Sequence, residues 1–221
     1  MHRLISAAAA AIGLMTFASA ATAAELQIDV TGLDFVYDGA TLQDSNQVPV
    51  GGVPSDAINS VDFYLDGVLI ESLNTADGDS LFADFLVNNV TGISTGGGSV
   101  TGGGGLFEVA FDAVPEDYLT LSFDSSTVFY TGGQIALNAV LTDISVLAQF
   151  LPVPYTYDDS QPIYVTFTGF IKRGTLTSNA GTVTGFNASG TASVVGQTAV
   201  PEPASLAVLA PAGLLLLRRR K

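Results

Sequence analysis

Short runs in which apolar and polar residues alternate recur along this chain, with turn residues between them. That period fixes the class of fold. Leu26, Ile28 and Val30 alternate with Gln27, Asp29 and Thr31, and Leu33, Phe35 and Tyr37 are read as following in phase. Phe107, Val109, Phe111 and Ala113 alternate with Glu108, Ala110 and Asp112. Leu119, Leu121 and Phe123 alternate with Thr120, Ser122 and Asp124, and Ile163, Val165 and Phe167 with Tyr164, Thr166 and Thr168. Successive side chains of a strand point to opposite faces, so each run buries one face and wets the other. No convincing amphipathic helix interrupts the pattern. The expected fold is all-β: one antiparallel β-sandwich or jelly-roll-like domain over residues 25–195.

Within that frame the sharpest local expectation is a hairpin over Val61–Glu71. Asp66-Gly67 suits a two-residue type I′ turn, in which both central residues need positive φ. Pairing outward from the turn places Leu65 opposite Val68, Tyr64 opposite Leu69, Phe63 opposite Ile70 and Asp62 opposite Glu71. Phe63, Leu65, Val68 and Ile70 then share one face. The like-charged Asp62 and Glu71 are expected to point into water. Gln134–Leu151 reads as strand, with Asp143 a point where it can divide in two. Residues 96–105 contain seven glycines and read as a flexible loop. Residues 174–199 suggest a last strand or two and then a loose stalk.

Charge and composition exclude several classes of function. The chain has 21 acidic and 7 basic residues, one His, no Cys and no Trp. Five of the basic residues are Arg3, Arg218, Arg219, Arg220 and Lys221, and the only His is His2. Residues 25–199 therefore hold 20 acidic residues against Lys172 and Arg173, leaving 18 net negative charges and no His or Cys. Nucleophile systems built on Ser-His-Asp or Cys-His, structural zinc sites and haem ligation lack their residues. Such a body repels nucleic-acid phosphate. Paired carboxylates can hydrolyse glycosides without His or Cys, but acids are dispersed here and no pair stands out. No enzyme activity and no cofactor are expected.

The two ends read as addresses. Met-His-Arg, an apolar core over Leu4–Ala21 and small residues at Ala21-Thr22-Ala23-Ala24 describe a signal peptide over residues 1–24, cleaved near Ala23 or Ala24. At the other end stand Pro201-Glu202-Pro203, the uncharged stretch Ala204–Leu217 and the basic run Arg218-Arg219-Arg220-Lys221. The prolines keep their segment extended. Ala204–Leu217 as a helix spans about 21 Å, short of a hydrocarbon core of about 30 Å. Snorkelling by the terminal basic residues narrows that gap, and the basic run stays cytoplasmic.

This C-terminal stretch, residues 196–221, resembles the PEP-CTERM sorting signal of exported bacterial proteins. The resemblance covers about 22 residues and rests on the order of tripeptide, apolar segment and basic terminus behind a signal peptide. Pro211, inside the apolar segment, departs from an uninterrupted span. The resemblance implies that Pro201, Glu202 and Pro203 form the recognition motif and that Arg218, Arg219, Arg220 and Lys221 stop transfer. It further implies that an exosortase, a membrane-embedded protease-transferase, is the processing partner. The expected localisation is export across the inner membrane to the cell envelope, cell surface or medium, often beside exopolysaccharide.

Few residues of the body suggest a ligand. Thr75-Ala76-Asp77-Gly78-Asp79-Ser80 with Asp84 gathers oxygen groups around a glycine, so Asp77, Asp79 and Asp84 are calcium candidates. They lack the 12-residue EF-hand spacing and its terminal Glu, and the plainer reading is an acidic turn. Tyr155-Thr156-Tyr157 beside Asp158-Asp159 can form a sugar-contacting loop, or its tyrosines can fill half-buried positions. The leading expectation is a non-enzymatic exported cell-surface or extracellular-matrix protein. The alternative is an extracellular carbohydrate-binding module, with or without calcium.

Overall fold

The structure, a computed structural model, describes residues 23–44, 56–111, 118–131 and 137–199. The expected signal peptide, the sorting motif and the apolar C-terminal helix lie outside the described residues, save Ala23 and Ala24. Twelve strands form: β1 Glu25–Tyr37, β2 Leu42–Asp44, β3 Ser60–Leu65, β4 Val68–Asn74, β5 Phe82–Val87 and β6 Gly98–Gly102. They continue with β7 Gly105–Ala110, β8 Tyr118–Tyr130, β9 Leu137–Phe150, β10 Tyr164–Ile171, β11 Thr177–Asn179 and β12 Thr182–Gln197. A single 3-10 turn, Thr75–Asp77, is the one helical element among the described residues. None of those residues forms a helix long and apolar enough to cross a membrane.

All the pairings are antiparallel and join the strands into one sheet. Followed from β1, they run through β2, β5, β7, β8, β9, β10 and β12, and β12 pairs back onto β1. The circuit closes, which removes the open edges that expose unpaired backbone. Strands β3, β4, β6 and β11 stand off the circuit. Among the described residues strand β4 pairs only with β3 and ends the sheet on that side.

The inward residues of the alternating runs form the core. Leu26, Ile28, Val30, Leu33, Phe35 and Tyr37 are each at most 2% exposed. Leu33, Phe35 and Tyr37 do not continue in phase as expected: the step from Val30 to Leu33 is odd and would turn the strand over. A bulge at Gly32 absorbs the extra residue, because Thr31 faces Thr191 and Leu33 faces Gly190. Gly32 has φ +88°, and a Cβ there would lie 2.6 Å from Asn59 Cγ. Phe35 of β1, Phe85 of β5, Phe107 of β7 and Phe167 of β10 meet in the interior. Phe85 and Phe167 have ring centroids 5.0 Å apart, and Phe107 and Phe167 5.2 Å apart. Strands four steps apart around the circuit thus touch through their side chains.

Three local expectations are corrected. The hairpin turn forms as expected, with Asp66 at φ 48° and Gly67 at φ 75°, and Leu65 faces Val68 and Tyr64 faces Leu69. The register then shifts at a bulge: Phe63 faces Glu71, not Ile70, and Asp62 faces Ser72, not Glu71. Ser72 Oγ donates to Asp62 Oδ1 at 2.5 Å, so the shift replaces a like-charge pair with a hydrogen bond. The expected apolar face is not shared. Phe63 is buried, whereas Val68 and Ile70 are 65% and 36% exposed, and among the described residues no strand pairs with the outer edge of β4.

The second correction concerns the glycines. Residues 98–102 form a strand against β8, and Gly105 opens β7. A Cβ on Gly105 would collide with the Leu86 carbonyl oxygen, and one on Gly102 with Ser126 Oγ. These glycines serve close approach of neighbouring strands, not flexibility. The third concerns the stalk. Strand β12 is paired with β1 from Phe186 to Gln197, and Ala199 N–H still donates to Thr156 O at 2.8 Å. Asp143, at φ 56°, leaves β9 a single strand.

Candidate functional site

The start of β1 and the end of β12 lie side by side, which places both exits of the chain together. Glu25 faces Gln197. Beyond that pair, Thr198 N–H donates to Ala24 O at 2.8 Å and Ala24 N–H to Thr198 Oγ1 at 3.1 Å. The β3–β4 turn is fastened to the same point. Asp66 N–H donates to Glu25 O at 2.9 Å, and Glu25 N–H to Asp66 Oδ1 at 2.9 Å. A fourth segment joins them, because Tyr157 bridges Thr198 and Gln149 brackets the Tyr157 backbone. Gln149 Nε2 donates to Tyr157 O at 2.9 Å, and Tyr157 N–H donates to Gln149 Oε1 at 2.7 Å. Four stretches distant in sequence are therefore bonded around the two exits.

The calcium candidates are not brought into one site. Asp77 ends the 3-10 turn and is exposed. Asp79 closes that turn: its Oδ2 accepts from Asn74 N–H at 2.7 Å, while Asn74 Oδ1 accepts from Ala76 N–H at 2.8 Å. Asp84 is fully buried on β5 and its Oδ1 accepts from Asp56 N–H at 3.2 Å. Among the described residues no three His, Cys, Asp or Glu side chains are grouped to hold a metal. The plainer reading of an acidic turn describes Asp77 and Asp79.

The tyrosine loop also departs from the sugar-contacting arrangement. Tyr157 is 1% exposed, with its hydroxyl donating to Val194 O at 3.2 Å. Burial, with the charge of Asp29 adding to it, holds that hydroxyl well above the ordinary tyrosine range. Tyr155 packs against the core. Asp158 stays at the surface, where Ser160 Oγ at 2.6 Å and Ser160 N–H at 3.0 Å hold its carboxyl below the usual range.

Two arrangements escaped the sequence reading. The first is the outer face of β10, β12, β1 and β3, where Thr166, Ser193, Asp29 and Asp62 stand in one lateral row. Ser193 Oγ donates to Asp29 Oδ1 at 2.6 Å, and Gln27 Nε2 donates to both Asp29 oxygens at 2.9 Å. The neighbouring row runs from Tyr164 through Val195 and Gln27 to Tyr64. The polar members of each alternating run carried this signal, but the lateral order of the strands did not follow from it. The second is Asp84 opposite Glu108 on β5 and β7, both buried. Thr120 Oγ1 donates to Glu108 Oε1 at 3.4 Å. Lys172 Nζ forms an ion pair with Asp34 at 2.9 Å.

Comparison of the chain with family models, with curated proteins and with solved structures gives no match.

Proposed function

We propose that this chain is a non-enzymatic exported protein of the cell surface or extracellular matrix. A signal peptide starts its export, and a PEP-CTERM-type tail sorts it for processing by an exosortase-type enzyme. The observation that carries the reading is the bonding of Ala24 to Thr198. Cleavage after Ala23 keeps both Ala24–Thr198 bonds, cleavage after Ala24 gives up those two but no strand pairing, and Pro201-Glu202-Pro203 follows the last described strand, which ends at Gln197. The closed circuit of strands, which leaves no open edge along it, supports that reading. In finer terms, we read the body as a flattened circuit whose opposed sides pack as the two layers of a sandwich. The Phe85–Phe167 contact supports that reading.

The test is the intact mass of the protein recovered from its native surface or medium. The expected mass lacks about 24 N-terminal residues and also the segment beyond Pro203. Recovery of a chain that still runs to Lys221 overturns the processing.

A second reading, binding of extracellular polysaccharide, is favoured by the outer face of β10, β12, β1 and β3. Tyr164, 60% exposed, and Tyr64 border a row of hydroxyls and carboxylates there. Aromatic faces offer apolar area to sugar rings, and carboxylates accept from sugar hydroxyls. Glycan-array binding that is lost in Tyr164→Ala and Tyr64→Ala is the expected result. An array without signal removes this reading and leaves the first intact.

A further inference from the structure

We infer that the end of the body carrying both chain exits is a membrane-facing foot, whose β3–β4 tip enters the lipid interface while the chain is still anchored. The inference rests on the proposed function, since it requires that a terminal apolar segment is embedded. Its first support is reach. The last backbone bond among the described residues is at Ala199, and the uncharged stretch begins at Ala204. Five extended residue steps span at most about 18 Å, so an embedded tail holds this end of the body close to the surface. The N-terminal exit leads to the same place, because Glu25 is hydrogen-bonded to Asp66 and faces Gln197. Whichever apolar segment is embedded, the same end is turned to the lipid.

The second support is what that end displays. Val68 and Leu69, directly after the Asp66-Gly67 turn, are 65% and 51% exposed. Phe150, next to the Gln149 that brackets Tyr157, is 55% exposed, and Tyr164, opposite Val195, is 60% exposed. Apolar and aromatic side chains of this kind partition into the interfacial zone. Exposed apolar groups occur elsewhere too: Phe170, opposite Ser189 in mid-β12, is 67% exposed, and Leu176, beside β11 at the level of Gly185, is 44% exposed. Leu176 lies about 40 Å along β12 from Gln197. Only the first group coincides with the chain exits.

The chain has no Trp, so one introduced Trp reports unambiguously. The test uses the full chain reconstituted into phosphatidylcholine vesicles, in three versions: Val68→Trp, Leu69→Trp and Leu176→Trp. Zwitterionic lipid is chosen because the acidic body repels an anionic surface. Flotation with the vesicles reads the anchor, and quenching by lipids brominated in the acyl chains reads depth. The expected result is flotation of all three, with blue-shifted and quenched emission for Val68→Trp and Leu69→Trp and neither for Leu176→Trp. Flotation with all three tryptophans unquenched overturns the foot while leaving the anchor standing. Equal quenching at Leu176 and at the tip also overturns it. Absence of flotation removes the anchored state itself and the foot with it.

Discussion

Strands β1 and β4 make an instructive pair. Strand β1 is flanked by β12 on one edge and by β3 and β2 on the other. Its six inward side chains are at most 2% exposed. Strand β4 has a neighbour on one edge only, and Val68, Leu69 and Ile70 stay at the surface. Each strand carries a bulge, with opposite results. At Gly32 the extra residue returns Leu33 to the core face. Beside Ile70 it moves Asp62 away from Glu71 and onto Ser72. Apolar content does not by itself secure burial. A strand of the closed circuit has a core side supplied by the strands opposite; β3, paired beside it, still buries Val61 and Phe63, whereas β4, one strand further out, brings Leu73 against the core but leaves Val68, Leu69 and Ile70 exposed.

The largest effect expected from this contrast lies where the circuit is filled. Phe167 touches Phe35, Phe85 and Phe107 and is 1% exposed. Phe167→Ala should destabilise by about 3–5 kcal/mol, since the cavity it leaves is walled by rings from several strands. Chemical denaturation reads this as a lower midpoint with an unchanged slope. A loss below about 1 kcal/mol would mean that the interior is not packed as the ring contacts imply.

The two bulge and turn glycines sharpen the comparison. Gly32→Ala meets both a left-handed backbone and Asn59, whose N atom lies 2.7 Å from the added Cβ. It should cost about 2–3 kcal/mol. Gly67, at φ 75° with open space around it, meets only the backbone term, and Gly67→Ala should cost about 1 kcal/mol. Equal costs, read from denaturation midpoints, would show that crowding at the bulge contributes nothing.

Tyr157→Phe tests the wall of the core beside the chain exits. It removes the hydrogen bond to Val194 O and should cost about 1 kcal/mol at pH 7. The pH dependence has a definite sign. In the folded chain burial holds the hydroxyl above its ordinary value, while the unfolded chain ionises near pH 10. The stabilisation is therefore full below about pH 10 and is lost as pH rises toward the folded value. Stability measured from pH 7 to 11 should fall less steeply in Tyr157→Phe. Identical slopes would place the alkaline loss elsewhere.

How much of this could be read beforehand follows from the kind of information involved. The buried positions of β1, β8 and β10 were legible, because alternation is local and Leu26, Leu121 and Val165 each obey it, whereas on β7 Glu108 and Ala110, expected on the wet face, are buried along with Phe107 and Val109. The positive-φ turn at Asp66-Gly67 was legible for the same reason. The register beyond the turn was not, since the choice between Glu71 and Ser72 opposite Asp62 depends on a bulge that no local pattern marks. Nor was the order of the glycines legible. The demand on Gly105 comes from Leu86, nineteen residues away. The candidate site divides the same way. Asp77 and Asp79 lie in one turn and could be read together. Asp84 went to the interior of a sheet whose neighbours lie far off in sequence, and the bonding of Ala24 to Thr198 spans 174 residues.

The smallest effect is expected at the hairpin edge, and it is the one that most directly separates the two strands. Val68→Thr and Leu69→Thr exchange exposed apolar side chains for β-branched polar ones that a strand accepts. Neither side chain fills the core, and both positions have one strand neighbour. The expected change is within about 0.5 kcal/mol of zero, read by the same denaturation midpoints as Phe167→Ala. Ile28→Thr on β1, at a position with no exposure, leaves a hydroxyl in the apolar interior and should cost several times more. If the β4 changes destabilised as much as Ile28→Thr, the hairpin would be part of the packed body and its exposed side chains would be held there by stability. A near-zero cost leaves their retention to what they meet outside the body, and the end of the molecule on which they stand is the end from which the chain departs.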